Sequence, residues 1–100
     1  MNVIITARKF KARESLKEFI NDEVKSLMKF NDDIMSAEVI LSFQNSHESI
    51  KKAEITLHIP KQTLVAAVDS DDFTKSVSAA VDKLSRQLKT FKSKRISRVK

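Results

Sequence analysis

The sequence predicts an α+β fold, a β-α-β-β-β-α two-layer sandwich with both helices packed on one face of a four-stranded sheet. Two segments, "AEVILSFQ" and "KAEITLHI", alternate apolar and polar side chains with the period of half-buried strands. Two longer segments, "LKEFINDEVKSLMKF" and the run from Phe73 onward, space their apolar residues by three and four, as amphipathic helices do. Each helix then has one apolar side and each of these strands one apolar face. A single shared interior satisfies them all.

The elements follow in order. "NVIIT" (Asn2–Thr6) is short, apolar and β-branched, a strand. In the first helix Leu16, Phe19, Ile20, Val24, Leu27 and Met28 form the apolar stripe, and "NDD" (Asn31–Asp33) breaks it. The second strand turns Ala37, Val39, Leu41 and Phe43 inward, against Glu38, Ile40, Ser42 and Gln44. "NSHES" turns the chain into the third strand, where Ala53, Ile55, Leu57 and Ile59 point inward. Pro60-Lys61 makes the next corner, because proline cannot continue a paired central strand. "TLVAAV" (Thr63–Val68) is the fourth strand. "SDD" (Ser70–Asp72) offers side-chain acceptors to the free amides of the last helix, whose positive end favours acids. Phe73, Val77, Ala80, Val81, Leu84, Leu88 and Phe91 give that helix its stripe. We expect one domain over residues 1–95, followed by a short basic tail at 96–100.

Composition narrows the function. At 100 residues, 41% hydrophobic and 32% charged, the chain suits one compact domain with a modest core. Without cysteine it has neither disulfides nor a thiolate zinc site, and without glycine it has no glycine-rich phosphate loop. No stretch has the roughly 20 apolar residues of a membrane span, nor is there a signal-peptide core, so a cytoplasmic protein without a membrane partner is expected.

The charge is unevenly placed. Residues 1–82 hold 11 Lys+Arg against all 13 Asp+Glu, whereas residues 83–100 hold 8 basic residues and no acid. Such a block repels itself unless a polyanion neutralises it. Lys75, Arg86 and Lys89 lie on the helix side opposite the apolar stripe, with Lys83 and Lys94 along one edge and Lys92 along the other. A helix C-terminus welcomes cations, but that effect is worth only about 0.3–1 kcal/mol and fades within the last turn. It does not explain eighteen residues without an acid. Lys83, Arg86, Lys89, Lys92, Lys94 and Arg95 are therefore the candidate polyanion-binding residues. Arg8, Lys9, Lys11 and Arg13, before the first helix, are a possible second cluster; Arg13 stands where a helix N-terminus disfavours a cation.

These residues carry a family resemblance. "DKLSRQLKTFKSK" is similar to the D-K-L-x-R-Q-L-x-K-x-K-x-K pattern of the ribosome hibernation-promoting factors, also described as sigma-factor modulation or subunit-interface ribosomal proteins. "AEITLHI" resembles that family's third strand, and Asp72 opens the last helix as it does there. The resemblance spans essentially the whole chain in the same element order. Some positions depart from the pattern. Phe73-Thr74 replaces Met-Tyr, Val77-Ser78 replaces Ile-Asp, Ala7 stands for a glycine, and Arg13 stands where many relatives cap the first helix with threonine.

The resemblance implies a non-enzymatic protein that binds the small ribosomal subunit, on 16S rRNA in the channel for messenger and transfer RNA. It implies inhibition of translation in stationary phase or stress. Lysine supplies movable point charge and arginine a planar fork, and both suit phosphates on a fixed rRNA surface. Recognition by shape and backbone is expected; no surface aromatic run is present, so base stacking is not the expected mode. The chain stops after a basic tail, as short family members do, and whether it promotes or prevents paired ribosomes depends on that tail. Promotion is the expectation here.

Other constellations carry less. His47 and His58 have no second histidine at metal spacing, and Asp69, Asp71 and Asp72 serve helix capping better than an oxygen cage. Ser46-His47-Glu48 cannot converge on one substrate atom. No cofactor, metal or small-molecule substrate is expected, and a monomer is. Two alternatives stay open: a general double-stranded RNA-binding module, whose fold also sets two helices on one sheet face, and a sigma-factor-modulating interaction protein.

Overall fold

The computed structural model describes residues 1–43 and 50–99, with side chains described through Thr90. Strand β1 (Asn2–Ala7) leads to helix α1 (Glu14–Lys25) and a 3₁₀ turn (Ser26–Lys29). Strands β2 (Ser36–Phe43), β3 (Lys51–Ile59) and β4 (Gln62–Ser70) follow, and helix α2 (Phe73–Val99) closes the order the periodicity predicts. The strands lie in sequence order in one sheet. β1 runs parallel to β2, which requires a crossover, and α1 supplies it; β2–β3 and β3–β4 are antiparallel.

The register explains the core. Ile5, Val39, Ile55 and Ala66 stand in one cross-strand row, and Val3, Ala37, Leu57 and Leu64 in the next. A slip of one residue would turn each of these rows out to solvent. Against them pack Ile20 and Val24 of α1, Leu27 of the 3₁₀ turn, and Val77, Ala80, Leu84 and Leu88 of α2, all buried. On the opposite sheet face no helix packs among the described residues, and its Ile4 and Val65 are exposed.

Local chemistry sets the element ends. The first helix was expected to run to Phe30, but its α-helical part stops at Lys25. There Ser26 Oγ donates to the Glu23 carbonyl at 2.6 Å, a local bond that competes with the helical ladder, and the chain tightens into the 3₁₀ turn. Asn31 Oδ1 accepts the Asp33 N–H at 2.8 Å and completes the break expected at "NDD". At the start of α2, Asp72 Oδ1 accepts from both the Thr74 hydroxyl and the Thr74 N–H at 2.8 Å. These two bonds hold the Asp72 carboxyl below its ordinary range. The associated stabilisation is present above the unfolded-state pKa and is lost as pH falls through the folded one. Buried Ser76 donates to the Lys51 carbonyl at 2.7 Å and shares a 2.6 Å bond with Ser70 Oγ. Polar contacts near this helix start are thus made by Thr74 and Ser76.

Among the described residues two positions need left-handed backbone, and with no glycine in the chain both fall on lysine: Lys9 at φ 64° and Lys61 at φ 67°. Lys61 sits with Pro60 in the two-residue turn between paired Ile59 and Gln62, the corner read from sequence. Residues 96–99, read as part of a tail, continue α2. The "NSHES" turn, with His47 and Ser46-His47-Glu48, lies outside the described residues.

α1 begins without a side-chain cap. Arg13 occupies the N-cap position with extended backbone, φ −71° and ψ 152°, and its side chain bonds none of the free amides. Arg13→Thr is therefore expected to stabilise the protein by about 0.5–2 kcal/mol by supplying a hydroxyl cap. The midpoint of thermal unfolding would rise by roughly 4–8 °C per kcal/mol. An unchanged or lower midpoint would show that this helix start has no capping deficit.

Candidate nucleic-acid interface

The two helices run in the same direction. Phe10, just before α1, stacks on Phe73 at the start of α2, with ring centroids 5.1 Å apart. Further along, Ser78 Oγ donates to Glu23 Oε1 at 3.1 Å, and later still Phe30 meets Lys89. The C-terminal end of α1, with its 3₁₀ turn, thus lies beside the middle of α2. Helix C-termini carry partial negative charge, so cations collect there at little electrostatic cost.

On α2 the anchored side and the basic side separate as the spacing requires. Val77, Val81, Leu84 and Leu88 are buried, while Lys83, Arg86 and Lys89 are exposed. Gln87 Nε2 donates to the Val65 carbonyl at 3.3 Å and ties one flank of the helix to β4. Lys83 lies one turn before Gln87, on the β4 side, whereas Lys89 turns towards the 3₁₀ segment. The exposed arc between them carries Arg86.

Arg86 has an acidic partner just outside the acid-free block of residues 83–100. Its Nη2 lies 2.9 Å from Asp82 Oδ2, one turn earlier. Both side chains are largely exposed, so the pair is worth only about 0.3–0.5 kcal/mol. A phosphate can draw the guanidinium away at small cost. Lys75 likewise pairs with Asp71 at 3.2 Å. No described acid pairs with Lys83 or Lys89.

The structure adds two residues that the sequence reading left out. Lys89 Nζ lies 5.1 Å from the centre of the Phe30 ring, and Lys29 Nζ lies 5.6 Å from it. Each contact is a cation–π interaction worth about 0.5–1 kcal/mol at an exposed site. Half-buried Phe30 thus gathers two ammonium groups and extends the basic face from α2 onto the 3₁₀ turn. Lys92, Lys94 and Arg95 fall on the α2 backbone, but their side chains lie outside the described residues.

The second cluster is elsewhere. Arg8, Lys9, Lys11 and Arg13 are exposed in the connection from β1 to α1. Phe10 holds that connection against the first residue of α2, and Lys83 lies ten residues further along. At 1.5 Å per residue, the two clusters are separated by about 15 Å or more along the helix axis. One stands at the start of the helical layer and the other at the middle of α2.

Among the described residues, no group of three or more acidic or histidine side chains could hold a metal ion. His58 Nε2 instead lies 3.5 Å from Glu38 Oε1 on the open sheet face. No helix among these residues is long and apolar enough to cross a membrane.

The geometry defines a two-layer α+β domain that presents a basic helix face. The chain belongs to the family described as "Sigma 54 modulation protein / S30EA ribosomal protein", whose pattern it matches over residues 3–96. It is 29% identical over 98 residues to a ribosome hibernation promoting factor of Azotobacter vinelandii, covering 98% of this chain and 89% of that one. It is 28% identical over 95 residues to the ribosome hibernation promoting factor of Escherichia coli K12, covering 94% of this chain and 96% of the relative. Among solved structures, a ribosomal subunit interface protein from Coxiella burnetii superposes with a TM-score of 0.84 at 22% identity, covering 93% of this chain and 99% of that one. The N-terminal domain of Thermus thermophilus Protein Y superposes with a TM-score of 0.80 at 23% identity, covering 91% and 99%. These two superpositions establish the shared fold.

Proposed function

We propose that this protein is a ribosome hibernation factor that binds the small ribosomal subunit and inhibits translation in stationary phase or stress. The contact is with 16S rRNA, in the channel for messenger and transfer RNA, and the inactive ribosomes it favours are paired ones. The family and the relatives named as hibernation promoting factors support the ribosome as partner. The observation that carries the reading is the exposed arc of α2, where Lys83 and Lys89 lack described acidic partners and Arg86 is only loosely held. Its apolar side is locked into the core, so the cations stand on a rigid mount. Lys92, Lys94 and Arg95 prolong this footprint, and Arg8, Lys9, Lys11 and Arg13 form a second contact at the start of the helical layer. The protein acts in the cytoplasm by occupancy, as a monomer without catalysis or cofactor.

Co-sedimentation with purified small subunits across a salt series tests this. Each phosphate neutralised lowers the logarithm of affinity by roughly 0.7–0.9 per tenfold rise in salt. Contacts from Lys83, Arg86 and Lys89 alone give a slope of about −2 to −3. A flat response would point instead to an adaptor that binds a protein through apolar contacts. A gel shift of free RNA duplexes as strong as subunit binding would favour the general duplex-binding module.

A further inference from the structure

At the end of the molecule remote from Lys83, an open cleft of about 490 Å³ lies between the β1–α1 connection and the start of α2. Its apolar wall is an aromatic trio. Phe10 stacks on Phe73 at 5.1 Å, tilts against Phe43 at 5.0 Å, and Phe43 meets Phe73 edge-on at 5.5 Å. Phe73 is buried, but Phe10 and Phe43 are only half-buried and leave apolar surface in the cleft.

The rim is cationic. Lys11 and Arg13 line it, and neither pairs with a described acid. Asp71 and Asp72 line it too, yet both are engaged: Asp71 binds Lys75 at 3.2 Å, and Asp72 caps α2. Lys51 also lines the cleft, with its Nζ 5.8 Å from the centre of the Phe43 ring, which leaves Lys11 and Arg13 as the uncommitted charges. Two features beside the cleft also work against stability. Lys9, immediately before Phe10, holds a left-handed backbone at φ 64°, and Arg13 leaves α1 uncapped with a cation at its positive end. Strain of this kind gathers where a surface is kept for binding.

We propose that this cleft takes one unpaired nucleotide of single-stranded RNA, the base resting on Phe10 and Phe43 and the phosphate held by Lys11 and Arg13. The cleft falls within the range of small-ligand pockets, about 300–1,000 Å³. Aromatic surface accepts any base, because every base has a π-face, while the cations take the backbone. An acidic peptide would satisfy the cations but leave the aromatic wall unused. The proposal rests on the reading above only in taking RNA as the partner. It gives the Arg8–Arg13 region a different mode of recognition from α2, base stacking in place of phosphate contact alone.

The test is amide-resolved NMR on the full chain at low salt, with three probes of equal charge: a short mixed-sequence single-stranded RNA, the same oligomer without bases, and polyglutamate. With the intact RNA, shifts are expected at Phe10, Lys11, Arg13, Phe43 and Phe73. The base-free oligomer should bind roughly tenfold more weakly, in line with one stacked base. Phe10→Leu should erase that preference. Lys11→Gln and Arg13→Gln, at exposed positions that do not threaten folding, should weaken both oligomers. Equal affinity for the intact and base-free oligomers would overturn the proposal, as would shifts confined to residues 83–90 or equal cleft shifts with polyglutamate. Repeating the titration in a K83E/R86E/K89E chain separates the two sites. Cleft shifts that persist there support this site independently of whether α2 binds ribosomes, and their disappearance counts against a separate site.

Discussion

Replacing Lys83, Arg86 and Lys89 together with glutamate is expected to abolish co-sedimentation with the small ribosomal subunit while the chain remains folded. All three side chains are exposed, so no buried contact is broken. The substitutions lose the Arg86–Asp82 pair, about 0.3–0.5 kcal/mol, and the Lys89–Phe30 contact, about 0.5–1 kcal/mol. Those losses are small beside the roughly 5–15 kcal/mol that holds a domain of this kind together. The expected effect on binding is of another order, because the three phosphate contacts proposed above would become repulsive on a surface that already carries Asp82. Circular dichroism and thermal melting would confirm folding, and sedimentation would report binding. If the triple variant pelleted with subunits as the parent does, the α2 face would not be the site.

Leu84→Ala is expected to have the largest effect on stability, a loss of about 2–5 kcal/mol. Leu84 is fully buried and Leu88 nearly so, at 0% and 1% exposure. Truncation there removes apolar surface from the packed interior and leaves a cavity that the rigid sheet beneath cannot close. At roughly 4–8 °C per kcal/mol for a domain of this size, the melting midpoint would fall by about 10 °C or more. Ribosome binding at low temperature should survive, since the cations remain on the opposite side of the helix. A melting curve that hardly moved would mean that α2 is not anchored through this stripe.

These opposite expectations for one helix were legible in the sequence because a 3.6-residue period divides a helix into faces wherever it packs. Strands β2 and β3 were legible for the same kind of reason, since Ala37, Val39 and Leu41, and Ala53, Ile55 and Leu57, recur at a period of two, whereas β4 was legible only as the short apolar run "TLVAAV". What escaped were features that depend on distant residues meeting. Lys29 and Phe30 look like the end of a helix until the parallel course of α1 and α2 brings them to Lys89, sixty residues away. The early end of α1 turns on one Ser26 side-chain bond, and no periodicity encodes it. The Arg86–Asp82 pair could have been found, because its spacing of four residues is the ordinary reach across a helical turn. The position of the Arg8–Arg13 cluster at the start of the layer could not, since it follows from Phe10 stacking on Phe73.

Asp72 illustrates how much local chemistry a short segment can hold. The acids of "SDD" read in sequence as helix-capping groups, and the structure assigns the cap to Asp72 through its two bonds from Thr74. Ser70 and Ser76 complete the junction with a bond to the β3 backbone at Lys51. The start of α2 is therefore fixed to the sheet, and the orientation of its basic arc follows from that attachment.

The most direct measurement is an image of the protein bound to the small ribosomal subunit at a resolution that distinguishes helix faces. The expected result is α2 with Lys83, Arg86 and Lys89 against rRNA phosphates, Lys29 beside them, and the open sheet face bearing Ile4 and Val65 turned away. A complex in which that sheet face makes the contacts and the α2 cations look into solvent would contradict it.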